Sequence, residues 1–120
     1  DRVLAEAFRI LKPGGRFAFQ EIAAGDAATC YFPLPWATVA RDSFLVSPEA
    51  MRSALEATGF VAEHFEDVSE AHLNRPAEAA ADGQLTLAVF VDDLGRKAGN
   101  ARRSLEEGRI RLVRGVFRAT

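Results

Sequence analysis

FRILKPGGRFAFQE, from Phe8 to Glu21, is the stretch on which the fold turns. Upstream of it, Val3, Leu4, Ala7, Phe8, Ile10 and Leu11 recur at the intervals that gather apolar side chains on one helix face. Lys12-Pro13-Gly14-Gly15 then stops the helix. Proline lacks an N–H and disfavours helical geometry in the residue before it, while glycine accepts the positive φ that reverses a chain. Arg16 to Ile22, RFAFQEI, follows as a short apolar run, which predicts a strand covered on both faces. Helix, tight glycine turn and strand together make half of an α/β repeat.

Working outward, residues 23–45 keep neither period and combine Gly25, Pro33 and Pro35 with Tyr31, Phe32, Trp36 and Phe44. So long an irregular, aromatic-rich stretch inside a compact domain reads as a lid or binding loop with short helices. Ser47-Pro48-Glu49 marks a helix start, with serine as cap, proline at the first helical position and a carboxylate near the positive end of the dipole. That helix is expected over about Pro48 to Ala57, packing through Met51 and Leu55 and closed by Gly59. Phe60 to Val68 reads as the next strand, and Ser69 to Ala81 as a helical or frayed segment broken by Pro76. Leu85 to Val91 fits a strand or a short buried helix equally. Arg96 to Glu107 is expected to be helical, closed by Gly108, and Arg109 to Arg118 to be a final strand. The chain opens on Asp1 already in helical periodicity, so it reads as the remainder of something longer.

Composition narrows the class. A chain of 120 residues that is 48% hydrophobic and 27% charged suits one globular domain, 1–120, with a real core. No apolar run approaches the ~20 residues of a membrane helix, and no basic segment leads into an apolar one, so a cytoplasmic protein without a membrane partner is expected. A net charge of −2 argues against a general nucleic-acid binder. Arg96 to Arg118 runs the other way, with eight Lys or Arg against two Glu, which reads as solvated faces or a local basic patch. One cysteine, Cys30, allows neither an internal disulfide nor a cysteine-cluster metal site, and His64 and His72 lack ligand spacing, so no metal is expected.

The string Phe8-Arg9-Ile10-Leu11-Lys12-Pro13-Gly14-Gly15-Arg16-Phe17 resembles the segment before the fifth strand of class I S-adenosylmethionine-dependent methyltransferases. Phe44 to Val68 is similar to the helix and sixth strand that follow in those enzymes. Asn100 to Thr120 is similar to the last helix and seventh strand of the small-molecule branch, the sarcosine and dimethylglycine methyltransferases and their relatives. The resemblance covers nearly the whole chain but only the C-terminal half of the family domain. It implies an α/β fold, a Rossmann-like partial sheet of strands equivalent to the fifth, sixth and seventh with flanking helices, the last two pairing antiparallel. It also implies S-adenosylmethionine as the cofactor of a full-length parent, gripped by family positions that would lie upstream of Asp1. Gly14 and Gly15 are not that grip: a phosphate- or nucleoside-cradling loop runs from strand into helix, and this pair runs from helix into strand. No cofactor-binding residue is therefore assigned within the chain, and this polypeptide alone is expected to be inactive.

In an open α/β sheet ligands bind beyond the carboxyl ends of the strands, which directs attention to Glu21 and the aromatic segment after it. Methyl transfer from a sulfonium is an in-line displacement in which the protein mainly orients two partners, and orientation can supply ~7 to 11 kcal/mol of the barrier. Tyr31, Phe32, Trp36 and Phe44 suit a cover over an amine or small apolar acceptor, with cation–π attraction of ~0.5 to 2 kcal/mol, or else they pack a satellite core. Glu21 suits an acceptor's proton or ammonium group, or is an exposed strand-end carboxylate. The candidate substrate-binding residues for a small-molecule methyl acceptor are thus Glu21, Tyr31, Trp36 and Phe44, with no catalytic residue assigned.

Other residues carry plainer readings. Cys30 is a small apolar filler, since a stand-alone hydrolase built on it has no recognisable base or oxyanion donors. His64, on the Phe60 and Ala62 face, reads as a partly buried structural histidine. Asn100, Arg102 and Arg103 either reach an acidic substrate group or face water. The rival from another class is a non-enzymatic α/β interaction module that uses the aromatic segment to bind a partner. On the fragment reading the Arg16 strand lacks the fourth strand that would normally flank it, so it is expected to lie at an open sheet edge and to form a homodimer.

Overall fold

The computed structural model describes residues 2–27, 29–75 and 93–120. Along the chain run α1 (Arg2–Ile10), β1 (Arg16–Ala24), a 3-10 turn (Ala40–Asp42), α2 (Pro48–Thr58), β2 (Phe60–Asp67), α3 (Ser69–Leu73), α4 (Leu94–Glu106) and β3 (Ile110–Ala119). The Leu85–Val91 segment and the part of Ser69–Ala81 beyond Arg75 lie outside the described residues. Two compact units emerge: the chain through Ala24 with Leu45–Val68 and Arg111–Thr120, and Gly25–Phe44 with Ser69–Ile110.

The first unit is an α/β layer. Its three strands lie in the order β1-β3-β2, so the last strand in sequence occupies the centre. β2 and β3 pair antiparallel from Phe60 opposite Ala119 to Asp67 opposite Val113. β1 also runs against β3, because its amino end meets the end of β3: Gly14 N–H donates to Ala119 O and Ala119 N–H to Gly15 O, each at 2.8 Å. The Lys-Pro-Gly-Gly turn therefore does two jobs. Gly15 N–H closes the turn on Lys12 O at 2.8 Å, Gly14 takes φ 81°, and the same residues start the sheet.

Rings build the core of this unit. Phe17 stacks on Phe60 with centroids 5.6 Å apart, Phe19 on Phe117 at 5.8 Å, and Phe8 meets Phe60 edge-on at 5.2 Å. Leu55 of α2, Phe60, Phe117 and Ala119 are fully buried, with Leu4, Ala7, Phe8, Leu11 and Met51 packed against them. Ser47 caps α2 as its sequence predicts, accepting the Ala50 N–H at 3.1 Å, and Gly59 closes it with φ 120°.

Three readings of this unit need correction. Val3 and Ile10 are 71% and 66% exposed, because a nine-residue helix turns only part of its surface to the sheet and Leu4, Ala7, Phe8 and Leu11 fill that part. β1 is covered on one face only: Phe17 and Phe19 are half-buried, whereas Arg16, Ala18 and Gln20 between them are exposed. His64 does not share the Phe60 face. The register slips between Ala62 and His64, so Phe65 falls opposite Gly115 on the core side, and His64 points outward with its Nε2 3.0 Å from Glu66 Oε1.

That outward face carries charge. Arg16 Nε donates to Glu63 at 2.8 Å, Arg118 lies 3.5 Å from Glu63, and Arg114 pairs with Glu66. Hydrogen bonds from His64 and then Arg114 hold the Glu66 carboxyl below the usual range. The arginines of β3 thus meet carboxylates of β2, which neutralises much of the basic excess read from the tail.

Candidate functional site

The two halves of the predicted site fall in different units. Glu21, near the carboxyl end of β1 in the first unit, is exposed, and its carboxylate accepts the N–H of Ile22 at 3.2 Å. Tyr31, Trp36 and Phe44 belong to the second unit.

In that second unit the aromatic segment is fastened to α4. Tyr31 N–H donates to the buried Ser104 Oγ at 3.0 Å, and Asn100 Nδ2 donates to Pro33 O at 2.9 Å. Asn100 and Ser104 are four apart, so one helix face offers both groups. The Tyr31 hydroxyl donates to Glu107 Oε1 at 2.7 Å, and the guanidinium carbons of Arg103 and Arg109 lie over its ring, 4.2 and 4.3 Å from the centroid. Arg103 and Arg109 also donate to Glu107 at 2.9 and 3.0 Å, and Arg109 Nη1 reaches Thr29 O at 2.6 Å. With the tyrosine hydroxyl and then Arg103 hydrogen-bonded to it, the Glu107 carboxyl is lowered from 4.5 to about 2.

Trp36 sits at a tight reversal closed by Leu34 and Ala37, which exchange backbone bonds of 2.8 and 3.2 Å and are both buried. Its indole N–H donates to Ser43 Oγ at 3.2 Å. Phe44 stands apart from this order, 87% exposed. Backbone closeness completes the unit: Gly25 N–H donates to Arg109 O at 3.0 Å, and a Cβ at Gly25 would sit 2.0 Å from Gly108 O.

Of the polar residues weighed on the last helix, Asn100 and Arg103 hold the loop, while Arg102 bonds Glu106 at 2.9 Å and reaches Leu73 O. Sequence reasoning missed Ser104, Glu107 and Arg109. Only the Arg103/Glu107 spacing was visible as a helical i,i+4 pair; their tie to Tyr31 spans more than seventy positions. Cys30 is a free, half-buried thiol.

Gly14 and Gly15 do not offer an adenosyl cradle. The paired glycines lie at the amino end of β1, and the Gly14 N–H and Gly15 C=O are spent on Ala119 in the sheet. Among the described residues no helix is long and apolar enough to cross a membrane.

The strand order, the central antiparallel last strand and the flanking helices define part of a Rossmann-like methyltransferase fold. Three solved structures share it over 98% of this chain. The phosphoethanolamine N-methyltransferase 2 of Haemonchus contortus, in complex with phosphomonomethylethanolamine and S-adenosylhomocysteine, superposes with a TM-score of 0.65 at 12% identity, 29% of its chain being covered. The cyclopropane synthase MmaA2 of Mycobacterium tuberculosis gives 0.61 at 15% identity and 48% coverage. The [4+2]-cyclase SpnF gives 0.55 at 22% identity and 44% coverage. The chain thus spans less than half the length of each. No protein-family profile matches it. No curated protein matches by sequence either.

Proposed function

We propose that this chain is the C-terminal, acceptor-side portion of an S-adenosylmethionine-dependent methyltransferase of the small-molecule, sarcosine- and dimethylglycine-methyltransferase-like branch. The observation that carries the reading is the Lys-Pro-Gly-Gly turn leading α1 into β1 within a sheet of order β1-β3-β2, in a chain whose fold is similar to those of an N-methyltransferase and a cyclopropane synthase. Glu21, near the carboxyl end of β1, is proposed to take the acceptor's proton or hold its ammonium group. Trp36 and Phe44 are proposed to contact the acceptor's apolar or cationic part, and Tyr31 to contribute by keeping their segment in place, since its hydroxyl and ring already bind Glu107, Arg103 and Arg109. The cofactor grip is proposed to belong to residues outside this sequence, leaving the chain inactive alone.

Calorimetric titration of the 120-residue chain with S-adenosylhomocysteine tests this: no heat of binding is expected in the micromolar range. The same titration on the gene's reading frame extended upstream through a strand and a glycine-rich turn is expected to give micromolar binding. Tight binding by the short chain, or none by the extended one, overturns the reading. The second outcome would favour the non-enzymatic interaction module.

A further inference from the structure

Three donors converge on one side chain in the second unit. Glu107 Oε1 accepts from the Tyr31 hydroxyl at 2.7 Å and from Arg109 Nε at 3.0 Å, and Oε2 accepts from Arg103 Nε at 2.9 Å, so both oxygens of one planar carboxylate are read. Contacts that do not involve Glu107 hold those donors. Tyr31 N–H is fixed on Ser104 Oγ, Arg109 N–H on Ser104 O at 2.8 Å and Arg109 Nη1 on Thr29 O, while both guanidinium carbons lie over the tyrosine ring. Glu107 is the least settled member. It caps the C-terminus of α4, where the helix dipole is negative and disfavours a carboxylate, and its side chain is 37% exposed. Two guanidiniums against one carboxylate also leave the cluster with a positive charge in excess.

We infer that Tyr31, Arg103 and Arg109 form a binding site for a small molecule bearing a carboxylate, and that Glu107 closes it in the free chain as a tethered occupant. The donors are set before a ligand arrives, and an incoming carboxylate meets the same two-oxygen pattern that Glu107 meets. Glu107 competes from a short tether, which keeps free carboxylates out at low concentration. Exchange leaves the Tyr31 hydroxyl donating to a carboxylate throughout, so the aromatic segment stays fastened whichever occupant is present. The site lies within the second unit and needs no cofactor, so it is independent of the methyl-transfer reading.

Tyr31 is the chain's one tyrosine, so its ultraviolet difference spectrum reads the site directly. At constant ionic strength, set with chloride, sodium acetate is expected to give a saturable change in Glu107→Ala, with an apparent affinity at least about tenfold above that of the native chain. Arg103→Gln in the Glu107→Ala background is expected to weaken that binding at least about fivefold. Trp36 emission that matches the native chain, or that acetate restores to it, is expected to accompany the change. No saturable response in Glu107→Ala, an equal affinity in the native chain, an affinity indifferent to Arg103→Gln, or a loss of Trp36 emission that acetate does not restore overturns the proposal.

Discussion

The two units use aromatic residues in opposite ways. In the first, phenylalanines touch one another: Phe8, Phe17, Phe19, Phe60, Phe65 and Phe117 form a continuous layer between sheet and helices, with no polar atom to satisfy. In the second, Tyr31 and Trp36 are each tied by a polar atom, to Glu107 and Ser43, and the segment between them hangs on α4 through single hydrogen bonds. An apolar layer is non-directional and tolerates small shifts, whereas a loop held by a few hydrogen bonds stays put only where each donor meets its acceptor. The contrast teaches that regular strands can be positioned by burial, and an irregular segment only by named polar partners.

Since Tyr31 and Trp36 are the sole tyrosine and tryptophan and both lie in the second unit, tryptophan fluorescence reports that unit, and amide hydrogen exchange along β1 and β2 reports the sheet of the first. The largest effect is expected from Phe117→Ala. Phe117 is fully buried against Phe19 and Phe65, so the cavity should cost about 3–5 kcal/mol, read as a fall in the thermal midpoint followed by circular dichroism. Gly25→Ala should come next and strike the other unit, because its Cβ would overlap Gly108 O. Forced rearrangement at such a contact costs about 1–3 kcal/mol, and tryptophan fluorescence should lose its native form before the sheet signal does. Simultaneous loss of both signals would mean that the units do not open separately.

The smallest effect concerns the Glu107 anchor. Its carboxyl titrates lower in the folded protein than the usual 4.5, so its contribution is complete above that value and is lost as pH falls toward about 2. Tryptophan fluorescence is expected to shift across that acid window in the native chain and to lose most of the shift in Tyr31→Phe, which keeps the ring beneath Arg103 and Arg109 but has no hydroxyl to donate. An unchanged acid transition in Tyr31→Phe would assign it to other carboxylates, among them Glu66, whose pKa is also lowered.

Local chemistry by itself determined the elements: the proline and glycines after Leu11, the Ser47-Pro48 start and Gly59 end of α2, and the Gly108 stop before the last strand act through neighbouring φ and ψ angles, which a short window contains. Tertiary structure decided the rest, because it depends on partners far apart in the chain. The register slip that turns His64 outward, the exposure of Val3 and Ile10, the pairing of β3 arginines with β2 carboxylates and the capture of Tyr31 by Glu107 are all settled by what happens to lie opposite. Strand register and long-range hydrogen bonds carry no periodic mark in sequence, so only the folded chain reveals which polar groups they bring within reach.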